Sequence, residues 1–430
     1  MDNSLLTVLK VHNPWLAEPG RQGEILASGL PDPFLPRKER LALDEGRALL
    51  VAGPRQAGKT TWIRQALCGQ DDPVLVLHAE EPLVRTLCRS PALALDTLGP
   101  VLGERTILVF EEIQHLEDGP LFLKGLVDLA PSLRIVATGS SSFQFGARTR
   151  ESLAGRARRV LLYPFSLEET AAAVPAESLP AIREEEIASL WEKLLVTGGY
   201  PGPWFDPDPQ AAVTRLAESI VLRDASDFYT IEHPAAFRKL LELAAADAGN
   251  LVNLSAWAST AQVSRTAARR YLDIAAEAHV LRLVPPFAGG KRAEITGRPK
   301  VYFIDNGLRN ALFGGFGPSR QRADRGALWE NAVYTELLKR TGLLDQLAYW
   351  RTKNGGEVDF VIRRSGELTA LEVKAAALQR PALSRAARSF LAAYRPARFG
   401  VINASLRLDR REEGVPVLFR RPWELDEILG

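Results

Sequence analysis

The stretch ALLVAGPRQAGKTTWIR, residues 48–64, limits what this chain can fold into more than any other. An apolar strand, Ala48 to Ala52, enters a glycine-rich turn and leaves it as a helical pattern. Gly53, Gly58, Lys59 and Thr60 fit the spacing G-x-x-x-x-G-K-[ST]. Glycines let successive backbone N–H groups turn inward around phosphate oxygens. The helix N-terminus behind them adds partial positive charge. The turn of Gly53, Pro54, Arg55, Gln56, Ala57 and Gly58, continued by Lys59, Thr60 and Thr61, is therefore read as a nucleotide cradle. Lys59 is assigned to the β- and γ-phosphates and the Thr60 hydroxyl to Mg²⁺.

Such a loop needs an acidic strand beside it. Residues 106–113, TILVFEEI, are an apolar strand ending in two carboxylates. Glu111 is assigned to Mg²⁺ and Glu112 to polarising the attacking water. Asp is the usual first acid here, so Glu111 is a departure. A third apolar strand, Arg134 to Ala137, runs into Thr138, Gly139 and Ser140, and Ser140 is the candidate γ-phosphate sensor. PVLVLHAEE (from Pro73) and VLLY (from Val160) supply further strands. Strands alternating with helical stretches predict a parallel sheet with helices on both faces. Arg156 precedes the last strand and is the candidate finger that enters a neighbouring subunit's site.

In this order GPRQAGKT, LVFEEIQ, IVATGSSS, SLAGR and YPFSLEE resemble the AAA-type ATPase domain at the N-terminus of a large bacterial and archaeal family. That family joins the domain to a C-terminal part of the DUF4143 type. The resemblance implies ATP and Mg²⁺ at the first site. Gly198-Gly199-Tyr200-Pro201 and VLRDASDFYTI, which holds Arg223 and Asp224, look like further segments of the same family.

A length of 430 residues argues for two to three domains. The expected boundaries are 1–172 for the ATPase, 173–295 for a helical linker and winged-helix-like domain, and 296–430 for the last domain. Residues 171–190, rich in Ala, Glu and Pro, read as a linker or short helices. Residues 237–283 are strongly helical. There a helix, a turn, a second helix carrying Arg265, Arg269 and Arg270, and an apolar strand form the pattern of a winged helix-turn-helix.

The last third holds YWRTKNGGEVDFV and LEVKA. Strands at Glu357 to Arg363 and Leu368 to Ala375 are expected, joined by a turn. Alternate side chains share a strand face, so Glu372 and Lys374 point together and Asp359 is expected to face them. Two carboxylates and a lysine on one face can hold a divalent cation and orient a water for phosphodiester cleavage. Glu372 and Lys374 form the chain's lone [DE]-x-K. With LWENAV, residues 328–333, these segments are similar to the PD-(D/E)xK restriction-endonuclease-like fold. Carried over, the resemblance makes Glu330, Asp359 and Glu372 ligands of Mg²⁺ or Mn²⁺ and Lys374 catalytic. The expected class is thus a multi-domain α/β protein: an AAA-type parallel sheet, a helical and winged-helix middle, and a restriction-endonuclease-like end.

Charge decides little. Lys and Arg total 54 against 52 Asp and Glu, a formal net charge of +2. Of the basic residues 43 are Arg, the side chain suited to phosphate forks. After residue 375 there are ten Arg and six acids, which could follow a phosphate backbone. DNA is the expected partner. The expected activity is an ATPase with a metal-dependent nuclease domain; the alternative is an ATP-dependent DNA-binding regulator whose nuclease-like domain does not cleave. AAA-type sites often lie between subunits, so a homo-oligomer or ring is compatible with it. Two cysteines form no bridge framework, no signal peptide is visible, and no apolar run reaches the ~20 residues of a membrane helix. A reduced, cytoplasmic setting without membrane contact is expected.

Overall fold

The computed structural model describes residues 3–103, 105–139, 153–220, 231–287, 289, 297–313, 315–342, 344–352 and 354–430. They form two compact units: Met1–Pro164 with Glu277–His279, and Phe165–Ala276 with Val280–Gly430. Ser140, Arg223 and Asp224 lie outside the described residues.

The first unit is built on five parallel strands: β1 (Ala48–Ala52), β2 (Val74–His78), β3 (Ile107–Glu111), β4 (Arg134–Gly139) and β5 (Ala157–Leu161), in the order β2-β3-β4-β1-β5. All five residues of β1 are buried. Leu49 and Val51 pack with Trp62, Ile63 and Leu67 of the helix Lys59–Leu67. Ala48 and Leu50 pack the other way, with Phe122, Leu123 and Leu126 of the helix Gly119–Leu129. Alternation along one buried strand thus demands a helical layer on each face, which the expected strand–helix pattern supplies.

The sheet's β2 edge is closed by side chains. Asn13 Nδ2 donates to Val76 O at 2.8 Å, and Val76 N donates back to Asn13 Oδ1 at 2.6 Å. Gln22 does the same one step along, with Asp72 O at 3.0 Å and Val74 N at 2.9 Å. Trp15 Nε1 adds a bond to Val74 O at 2.7 Å. The N-terminal segment therefore imitates a neighbouring strand with amide side chains and blunts an open edge. Asn13→Ala is expected to cost about 2–4 kcal/mol, because it strips two buried backbone groups of their partners. Urea unfolding measures this; an unchanged midpoint would mean that the edge is held by other groups.

In the second unit a 17-residue helix, Pro180–Val196, stands where the sequence suggested a linker or short helices. Its apolar positions Ile187, Trp191, Leu194 and Leu195 are buried, and that stripe outweighs the Pro- and Glu-rich start. Gly198-Gly199 has a packing role. Gly198 has φ +74°, and a Cβ there would lie 2.0 Å from Asp305 Oδ1. Asp305 in turn accepts from Gly199 N at 2.7 Å. Helices Pro234–Ala246, Leu254–Thr260 and Arg265–Glu277 follow. Next come the antiparallel pair β6 (Leu281–Val284) and β7 (Lys300–Phe303). The helix Arg325–Arg340 leads into a mixed six-stranded sheet. Its strands are β8 (Gln346–Arg351), β9 (Glu357–Arg364), β10 (Glu367–Lys374), β11 (Arg398–Asn403), β12 (Leu408–Glu412) and β13 (Val415–Arg420), in the order β12-β13-β11-β10-β9-β8. The helix Arg385–Tyr394 connects β10 to the parallel strand β11.

Candidate nucleotide site and carboxylate cluster

The loop after β1 has the geometry its glycines predict. Gly53 has φ +149°, and a Cβ there would come within 2.1 Å of Leu162 O. Gly58 caps the following helix in the left-handed region at φ +90°. Pro54, Arg55, Gln56 and Ala57 span the turn between them, and Thr61 lies in the first helical turn. Lys59 is buried within the loop, its Nζ donating to Gly53 O at 3.1 Å and Pro54 O at 2.9 Å. Thr60 Oγ1 donates to Glu111 Oε2 at 3.1 Å. The Glu111 side chain therefore reaches the Thr60 hydroxyl. Burial pushes the Glu111 carboxyl above its ordinary range, partly opposed by the Thr60 bond. Thr60 and Glu111 are the two groups fitted to hold Mg²⁺, which would neutralise phosphate charge.

Glu112 sits in the left-handed region at φ +53°, a conformation that turns its side chain off the line of β3. Its N–H donates to Thr138 Oγ1 at 2.9 Å, and its carboxylate accepts from Gln114 Nε2. Thr138, near the end of β4, thus holds Glu112 by its backbone. Ser140, the expected γ-phosphate sensor, lies outside the described residues. His78 was also missed. It pairs with Glu111 across β2 and β3, with Nδ1 3.7 Å from Glu111 Oε2, and the His12 ring lies tilted against it with centroids 4.3 Å apart. Burial lowers the His78 pKa and favours the neutral ring. The available signal was its place at the end of β2, level with Glu111.

Arg156 lies at the other end of the sheet. Its carbonyl accepts from Ala48 N, at the start of β1, and its Nε meets Asp128 Oδ1 at 2.5 Å. The cradle follows the end of β1, about 16 Å away for a five-residue strand. Arg156 therefore cannot serve the phosphate site of its own chain.

In the second unit the expected grouping is not formed as drawn. Val358 and Val361 of β9 both pack with Phe390 of the helix Arg385–Tyr394, while Phe360 packs on Tyr302 and Tyr334. A bulge opposite Ala348 and Trp350 inserts the extra residue that permits this. Asp359 turns with Phe360. Its Oδ2 accepts from Val373 N at 2.7 Å, just beyond the last β9–β10 pairing, Phe360 with Leu371. Glu372 shares a face with Ala370, on the Phe390 side. Its Oε1 accepts from the Ser384 hydroxyl, and its Oε2 lies 3.4 Å from Lys374 Nζ. The bulge, invisible in the residue pattern, turns Asp359 away from the face of Glu372, while Asp359 stays bonded to Val373 N and within reach of the Lys374 charge.

Asp359 instead joins Glu330 and Glu357, whose carboxylate oxygens and its own lie within 4.8 Å of one another. Lys300 fills this group. Its Nζ bonds Glu330 Oε1 at 2.9 Å and pairs with Glu357. Tyr302 Oη donates to the same Glu330 oxygen at 2.5 Å. Burial and the charge of Glu330 push the Asp359 carboxyl well above its usual range, against the pull of Lys300. Lys300, Tyr302 and Glu357 escaped the sequence reading; a lysine opening the apolar segment KVYFI was the one available hint. With Glu372 engaged elsewhere and an ammonium among the other carboxylates, these residues do not fit the expected metal centre.

The first unit's fold and site define an AAA-type P-loop ATPase domain. Residues 45–171 match the family described as an AAA domain. Residues 188–319 and 325–420 match two domains of unknown function, DUF8612 and DUF4143. The uncharacterized proteins Mb2031c of Mycobacterium bovis and Rv2008c of Mycobacterium tuberculosis are each 31% identical over 377 residues, which is 84% of this chain and 78% of theirs. The chain belongs to the family of these mycobacterial proteins. The uncharacterized protein MJ1544 of Methanocaldococcus jannaschii is 23% identical over 345 residues, 76% of this chain and 74% of its own. Among solved structures, the Aeropyrum pernix ORC1 protein in complex with DNA aligns at 15% identity and a TM-score of 0.31, covering 69% of this chain and 91% of its own. No helix among the described residues is long and apolar enough to cross a membrane.

Proposed function

We propose that this chain is an ATP-dependent DNA-binding regulator whose C-terminal domain does not cut its partner. The ATP part rests on one connected set: Lys59 in the cradle, Thr60 bonded to Glu111, and Glu112 held by Thr138. Lys59 holds the terminal phosphates, and Glu112 takes the proton of the attacking water. The site is completed in a homo-oligomer, where Arg156 of one copy serves the phosphate of the next.

The DNA part rests on the helix Arg265–Glu277. Its buried side carries Ala268, Tyr271, Leu272 and Ala275, while Arg265, Arg269 and Arg270 are exposed. A preceding short helix and the following β6–β7 ribbon support a winged-helix reading, with this helix in a major groove. Arg269 pairs with Asp273 at 3.0 Å and Arg270 with Glu232 at 3.5 Å. Such exposed pairs are worth little and exchange readily for phosphate. Against cleavage stand the turn of Asp359 away from Glu372 and the Lys300 ammonium among Glu330, Glu357 and Asp359.

Replacing Arg265, Arg269 and Arg270 together by Ala is expected to weaken duplex binding at least about 10-fold and flatten its salt dependence. Fluorescence anisotropy across a salt series reads both, and unchanged affinity would remove the DNA reading. Plasmid and linear DNA are expected to stay intact with Mg²⁺ or Mn²⁺, with and without ATP. Cleavage that disappears in Lys374→Ala would restore the nuclease reading.

A further inference from the structure

The carboxylate cluster of the second unit contains its own cation. We infer that Lys300 is a built-in counter-ion, standing where a divalent metal would otherwise bind Glu330, Glu357 and Asp359. The inference deepens the non-cleaving reading and rests on it in part.

Lys300 opens β7, where its backbone pairs with Val284 and bridges Leu251. Its side chain is 2% exposed, so the ammonium is withdrawn from water. An isolated charge there would be prohibitive; paired charges offset that cost. The pairing is thorough. Glu330 and Glu357 contact Nζ directly, and the charge of Asp359 adds to them. Tyr302 donates to the Glu330 oxygen that Lys300 also holds. On the outer side Arg351 lies 3.4 Å from Glu357. Gly249, whose φ of +82° favours glycine, lies beside the Glu330 carboxylate.

A metal bound to Glu330 Oε1 would sit within a few ångströms of that ammonium. Like charges so close, shielded from water, repel strongly. Entry of a metal therefore requires Lys300 to leave, and its side chain is buried at 2% exposure. The expected lysine, Lys374, is by contrast 41% exposed and paired with Glu372. The fold of the last domain thus keeps a set of acids but meets their charge from within the chain.

The experiment is Mn²⁺ binding by electron paramagnetic resonance on the full chain without nucleotide. Wild type and Asp359→Asn are expected to give the same isotherm, because the cluster takes no metal. Lys300→Met is expected to gain one Mn²⁺ site that the added Asp359→Asn removes. Lys300→Arg keeps the charge and is expected to resemble wild type. A wild-type Mn²⁺ site lost in Asp359→Asn overturns the inference. Should Lys300→Met fold poorly, thermal unfolding decides: Lys300→Met with Glu330→Gln is expected to melt well above Lys300→Met alone. Equal melting would also overturn it. Cleavage of DNA by a chain without Mn²⁺ at Asp359 would instead sink the non-cleaving reading and leave Lys300 its role.

Discussion

Replacing Lys59 by Ala is expected to cut ATP turnover by at least about 100-fold, the usual effect of losing one charged or hydrogen-bonding group at a developing anion. The expectation follows from position. Lys59 Nζ is already inside the turn, bonded to the carbonyls of Gly53 and Pro54. Phosphate oxygens entering that turn offer stronger, charged acceptors for the same ammonium. Without the ammonium the backbone N–H groups and helix N-terminus remain, so binding weakens while the terminal phosphate loses its clamp. Glu112→Gln separates the two effects. Glutamine keeps the shape and the backbone bond to Thr138. It cannot accept the proton, and turnover is expected to fall about 10²- to 10⁴-fold with ATP still bound. Phosphate release and a fluorescent-nucleotide titration distinguish the variants. Normal release from Lys59→Ala would mean that hydrolysis happens elsewhere.

The pattern of success along the sequence has a physical cause. The cradle and the acidic strand were legible because each is local. Glycine, lysine and threonine stand within eight residues, and Glu111 and Glu112 simply end an apolar strand. The parallel sheet was legible for the same reason, from strands alternating with helices. What stayed hidden depends on partners distant in sequence. Asn13 meets Val76 across 63 residues, and Thr138 meets Glu112 across 26. Lys300 reaches Glu330 across 30 residues and Glu357 from a different sheet. Strand alternation placed Asp359 beside Glu372, and one bulged residue was enough to reverse it. Such an insertion leaves no mark on the apolar pattern, since Val358, Phe360, Val361 and Ile362 are apolar in either register.

Arg156→Ala is expected to bind ATP normally and to hydrolyse it about 10³-fold more slowly, the lower range for loss of an arginine finger. Because Arg156 stands at the strand end opposite the cradle, the proposed finger role requires a neighbour's phosphate as its target. A mixing test follows from that geometry. Lys59→Ala and Arg156→Ala chains are each expected to turn over ATP only slowly alone. Mixed in equal amounts, they form some sites with an intact cradle from one copy and Arg156 from the other. Random assembly makes these about a quarter of all sites, and turnover is expected to return to that order. Asp128→Ala is the control. Asp128 holds Arg156 at 2.5 Å in the single chain. If Arg156 merely anchors Asp128, the two variants must behave alike. If Arg156 acts on a neighbour, Asp128→Ala frees the guanidinium and leaves turnover close to wild type. A silent mixture, or full activity of Arg156→Ala, would place the transition-state charge under the care of the single chain.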